Sequence, residues 1–164
     1  MKVEMKLQGV DDALATLKKL PPEIVSKRGG PVRAALAKGA RMIRDQEKEN
    51  LRSIVSASPD TTGLLEKNIV VSRGKQIHGS KGERYLVRIR RKAYDQEKIG
   101  KREKAGKRVT TYKTAALLEY GSKHQTATPF IRPAIIQKGG QAIAVITQDL
   151  NRRIQQIVKK LAKA

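Results

Sequence analysis

Asp45, Glu47 and Glu49 place three carboxylates close together in the chain, the residue type with which a nuclease holds Mg²⁺. Their spacing of i, i+2 and i+4 on a predicted helix spreads them around the axis instead of converging them. A solvated helix face is the reading that follows. His78 and His124 are the only histidines; both fall in predicted loops, and the chain has no Cys. Neither a metal site nor thiol chemistry is expected from that inventory. No phosphate-binding P-loop, dinucleotide fingerprint or nucleophile elbow is written in the chain. Gly29-Gly30 precedes a helix, as an anion site would, but Pro31 removes an N–H that such a site needs. No enzyme and no cofactor is therefore expected.

Charge gives the stronger signal. The 164 residues carry a net +21. Self-repulsion at that level opposes compactness and favours polyanionic partners. Between Arg73 and Lys113 there are fifteen Lys/Arg against four acidic residues, too strong a bias for self-paired salt bridges. Few aromatics interleave with them, so a stacking platform for single strands is poorly supported. A diffuse, sequence-independent contact with phosphate, or with an acidic protein surface, is the expectation. The candidates are Arg84, Arg88, Arg90, Arg91 and Lys92, then Lys98, Lys101, Arg102, Lys104, Lys107 and Arg108.

The stretch from Leu117 to Ile135 is distinctive in another way. An apolar helical run ends at Glu119-Tyr120-Gly121, a polar loop follows, and Pro129-Phe130-Ile131-Arg132-Pro133 brackets an aromatic and an apolar residue between prolines. Proline fixes its own φ and restrains the residue before it, so this knob loses little entropy on docking. Phe130, the only Phe, can serve as a core aromatic or reach another chain; the proline brackets and the loop favour the second.

The elements that must carry these residues read as follows. Val3, Met5 and Leu7 alternate with charges as in a half-buried strand. Ala13, Leu14, Leu17 and Leu20 follow on a short helix that Pro21-Pro22 stops. A long helix starts at Pro31, with Val32, Leu36, Gly39/Ala40, Ile43, Glu47, Leu51 and Ile54 at helical spacing. Its run of Ala and Gly makes one side thin, which lets another element approach closely. Ile69, Val70 and Val71 suggest a strand. A second strand spans Glu83–Lys92, with Tyr85, Val87 and Ile89 on one face and Arg84, Leu86, Arg88 and Arg90 on the other. Residues of about 92–112 read as a long, mobile basic loop or hairpin. A short helix from Thr114 ends at Gly121, and a last helix follows Pro133, with Gly139-Gly140 able to kink or divide it. The whole predicts one α+β domain over residues 1–164, a small antiparallel sheet packed against long helices. No stretch has transmembrane length, and no N-terminal apolar run resembles a signal peptide, so a soluble protein is expected.

Leu117-Leu118-Glu119-Tyr120-Gly121-Ser122 followed by Pro129-Phe130-Ile131-Arg132-Pro133-Ala134 resembles the signature of the neck or tail-completion proteins of long-tailed double-stranded DNA bacteriophages, the gene-ten-like family of lambda-type siphophages. The opening strand, Gly9-Val10-Asp11 and leucine helix are similar to the start of that family, and Thr62-Gly63-Leu64 through Ile69 matches it in part. The resemblance implies a virion protein of the head–tail junction, assembled in the host cytoplasm. It would form a ring, most often a hexamer, between a head-closing connector and the tail terminator or tail tube. Genomic double-stranded DNA would pass through the ring. It also implies that Glu119, Tyr120, Gly121, Pro129, Phe130, Ile131, Arg132 and Pro133 face a neighbouring subunit or ring.

Overall fold

The structure, a computed structural model, describes residues 30–56, 62–75, 82–94 and 109–161. The expected N-terminal strand and leucine helix lie outside the described residues. The elements are α1 (Gly30–Val55), α2 (Leu64–Lys67), β1 (Ile69–Arg73), β2 (Tyr85–Ile89), α3 (Thr111–Tyr120) and α4 (Ile131–Leu161). They make an α+β fold in which a two-stranded antiparallel sheet and the long helix α4 both pack against α1.

α1 begins where Pro31 predicts, because the first-turn nitrogens of a helix need no intrahelical acceptor. It packs along α4 more extensively than any other pair of elements. The two run antiparallel, since Lys38 reaches Asp149 while Asn50 reaches Phe130. The thin side of α1 faces α4: a Cβ on Gly39 would stand 2.5 Å from the Ile146 side chain. Ala35 on α1 and Leu150 and Ile154 on α4 form one apolar cluster at that seam. Asp149 is buried beside them, with Lys38 at 3.2 Å, Arg152 at 2.8 Å and Arg153 at 2.5 Å. Arg153 above all, aided by Lys38, pulls its carboxyl down to about 2 despite burial. α4 runs without a break through Gly139 and Gly140, where a kink or division was open. Gly139 is buried, and the continuous seam with α1 supports the helix across the pair.

The second cluster joins every element except the far part of α4. Leu51, Leu65, Ile69, Ala115 and Phe130 form its centre, with Val87, Ile89 and Leu118 against them. β1 and β2 pair with Val71 opposite Val87 and Ile69 opposite Ile89. That register turns Ile69, Val87 and Ile89 toward α1 and turns Arg84 and Arg88 away from it. Glu83 ties the sheet to α1 by accepting from Arg33 Nε at 2.8 Å and from Arg73 Nε at 2.9 Å.

Past β2, Ala93 and Thr110 form an isolated antiparallel bridge. Tyr94 N donates to Val109 O at 3.1 Å, and Thr111 N donates to Lys92 O at 2.9 Å. The Thr111 side chain is wholly enclosed; its hydroxyl donates to Arg90 O and accepts from Lys92 N. The two ends of the basic segment therefore meet at this bridge. Residues 95–108 between them, including Lys98, Lys101, Arg102, Lys104, Lys107 and Arg108, lie outside the described residues. Among the described residues no helix is long and apolar enough to cross a membrane.

Candidate functional site

The Glu119–Ala134 segment is one built unit. A helix start exposes backbone N–H groups that have no acceptor within the helix. At the start of α4 those groups belong to Phe130, Ile131 and Arg132, and the next nitrogen, in Pro133, carries no proton. The Glu119 carboxylate, at the C-terminal end of α3, accepts from all three: Phe130 N at 3.0 Å, Ile131 N at 3.0 Å and Arg132 N at 3.2 Å. The negative group also sits at the positive end of the helix dipole. Arg132 closes the unit by donating from Nε to Glu119 Oε1 and from Nη2 to Glu119 O, both at 2.9 Å. Its guanidinium lies 5.2 Å from the Tyr120 ring centroid. Burial alone would raise the Glu119 carboxyl, but the Ile131 amide, the Arg132 side chain and the other two amides hold it below its usual range. Glu119→Gln keeps the shape but removes the charge from three N–H donors and a guanidinium. A loss of about 2 kcal/mol in urea unfolding is expected, since charge-assisted caps lie at the upper end of cap energies.

Gly121 makes the chain leave α3. Its N–H donates to Leu117 O at 2.8 Å, as expected of a helix-ending glycine. Its φ of 74° with ψ of −173° is a conformation only glycine adopts readily. A Cβ there would also meet the Ala127 nitrogen and the Gln125 oxygen at 2.9 Å, both backbone atoms that cannot swing aside. Gly121→Ala should cost at least about 1–3 kcal/mol from backbone strain, read as a lower melting temperature. The loop beyond is tethered: Ser122 N donates to Gln125 O and Thr128 N to Leu118 O, each at 2.8 Å.

Phe130 is fully enclosed within the subunit. The expectation that this side chain reaches another chain is corrected: the proline-bracketed knob docks into its own core, between α1, α3 and the sheet. Glu119 is likewise buried, and Ile131 packs against the same cluster. Of the eight residues expected at a subunit interface, Tyr120, Pro129 and Arg132 are exposed; Gly121, Ile131 and Pro133 are half-buried.

Glu47 is the residue misread from sequence. Asp45 and Glu49 are exposed as a solvated face requires, but Glu47 is only 4% exposed and points into the core. Burial first, and the nearby Glu119 charge second, push its carboxyl up to about 7. Two carboxyls driven apart in this way are the pattern of an acid–base pair. Here both lie inside the packed core, so the arrangement is structural. Among the described residues no group of three or more His, Cys, Asp or Glu is placed to hold a metal ion.

Arg84, Arg88, Arg90, Arg91 and Lys92 are all exposed. None of their side chains is in an ion pair among the described residues, unlike Arg73, which Glu83 holds. They follow one another along β2 and its exit toward the Ala93–Thr110 bridge and make this edge of the sheet cationic. No protein-family pattern, characterised protein or solved structure matches the chain.

Proposed function

We propose that the chain is a structural protein of a phage head–tail junction. In this reading it forms a ring, most often a hexamer, that joins the tail to the head-closing connector and lets double-stranded DNA pass. The observation that carries the reading is the Glu119–Ala134 unit. Four residues of the motif that resembles the tail-completion signature have a defined job in it: Glu119 caps, Gly121 turns, Phe130 plugs and Arg132 clamps. The unpaired cationic edge supports the reading independently, because cations around a channel hold DNA without reading sequence. The test is complementation of tail assembly. Tails made without the protein should lack density at their head-proximal end and fail to join heads. Adding the purified chain should restore both, with a ring visible by electron microscopy. Normal joining without the chain would sink the proposal.

The same cationic edge favours one alternative, a sequence-independent nucleic-acid-binding protein. That reading expects the free monomer to bind duplex DNA with an affinity that falls steeply as salt rises. Binding of that kind, with no effect on tails, would replace the first reading.

A further inference from the structure

Every exposed large apolar side chain among the described residues lies on α3 or the first two turns of α4. Ile136 is 80% exposed and Tyr120 74%, and Tyr112, Leu117 and Ile135 join them. Clustering of this kind marks an interaction surface, whereas single exposed apolar residues mean little. The Tyr120–Arg132 contact connects the two helices: Leu117 lies one turn before Tyr120, and Ile135 and Ile136 one turn after Arg132. The Glu119 latch holds this surface rigid, so little ordering entropy opposes docking. Tyr and Arg are also the residue types that dominate interface energies.

The rim decides the partner. Lys113, Lys123 and Arg132 are exposed around the apolar stripe, and Lys138 is half-buried beside it. The one carboxylate of the segment, Glu119, is buried and committed to its amides. A second copy is a poor match: it carries +21, and its only exposed carboxylates among the described residues are Asp45 and Glu49. Asp45 is already paired with Arg44.

We infer that the Leu117–Tyr120–Arg132–Ile136 face docks onto a different protein whose surface is apolar at its centre and rimmed by carboxylates. This deepens the head–tail reading by giving the chemistry of one neighbour, and it rests on that reading only for where the neighbour is found. The probe is a helical peptide of about 20 residues with Leu along one face and Glu at its margins, beside a twin with Lys for Glu. Fluorescence anisotropy with the full chain should show the Glu peptide binding at least about tenfold tighter than the twin. Raising salt from about 0.1 M to 0.5 M should weaken it. Ile136→Asp should weaken it at least about tenfold, Tyr120→Ala should weaken it also, and Lys159→Ser, an exposed cation at the far end of α4, should leave it unchanged.

Equal affinity for the two peptides would overturn the inference, as would indifference to Ile136→Asp or loss through Lys159→Ser. Self-association of the wild type that Ile136→Asp abolishes would assign the face to a second copy. A fall in melting temperature of Ile136→Asp would show that the side chain already packs within the chain, and would overturn the inference. No virion component enters the assay, so its failure leaves the tail-complementation result standing.

Discussion

Phe130→Ala should lower the stability of the isolated chain by about 3–5 kcal/mol, the usual cost of emptying a buried aromatic site. The melting temperature should fall by about 10 °C, since about 1 kcal/mol shifts a domain of this size by a few degrees. The reason is the position of the ring. It is wholly enclosed and touches clusters supplied by α1, α2, α3 and the sheet, so no single element can close over the void. The backbone at the same residue is fixed twice over: its N–H donates to Glu119, and its carbonyl accepts from Asn50 Nδ2 at 3.2 Å. Collapse into the cavity would have to break one of those bonds. Urea unfolding of the free protein reads the effect directly. Wild-type stability combined with lost assembly would place the work of Phe130 outside the subunit instead.

Glu47→Gln should have the opposite sign. Its carboxyl is pushed up to about 7 in the folded state, against an ordinary value of 4.5. Between those two pH values the folded chain holds a proton that the unfolded chain releases. Stability contributed by the protonated form is therefore full below about pH 4.5 and is lost as pH rises through about 7. The loss amounts to about 3 kcal/mol at neutral pH and above, from the free energy per unit of displacement. Glutamine keeps the size and has no proton to lose. The variant should match the wild type near about pH 4 and exceed it by that amount near about pH 8. Glu119 and Asp149, held below their usual values, act in the other direction: their contribution is lost only as pH falls below the ordinary carboxylate range. Wild-type stability should therefore peak in mildly acidic solution. A flat wild-type profile from pH 5 to pH 8 would show that Glu47 stays charged in the fold.

Local signals made much of this legible in the sequence. Pro31 marked the start of α1, the alternation from Tyr85 to Ile89 gave β2 and its cationic face, and Gly121 ended α3. Each depends on neighbours a few residues away. Glu119 as a helix cap was not legible, because the amides that it serves lie 11 to 13 residues further on and are brought back by the Gly121 turn. Thr111 was missed for the same reason: its hydroxyl serves Arg90 and Lys92, about twenty residues earlier in the chain. Glu47 is different, because the signal was present. It falls on the apolar stripe between Ile43 and Leu51, where a charged residue must be either neutralised or paired. Its acidic neighbours Asp45 and Glu49 drew the reading toward solvent. For Phe130, the prolines drew the reading toward another chain, whereas the ring packs in its own core.

The bridge between Ala93 and Thr110 bears on engineering. A chain segment whose entry and exit points touch can be exchanged as a cassette, because closure cost grows only slowly with length. A short Gly-Asn turn, an affinity tag or a fluorescent reporter spliced in place of residues 95–108 should leave α3, its Thr110 cap and the Phe130 plug where they are.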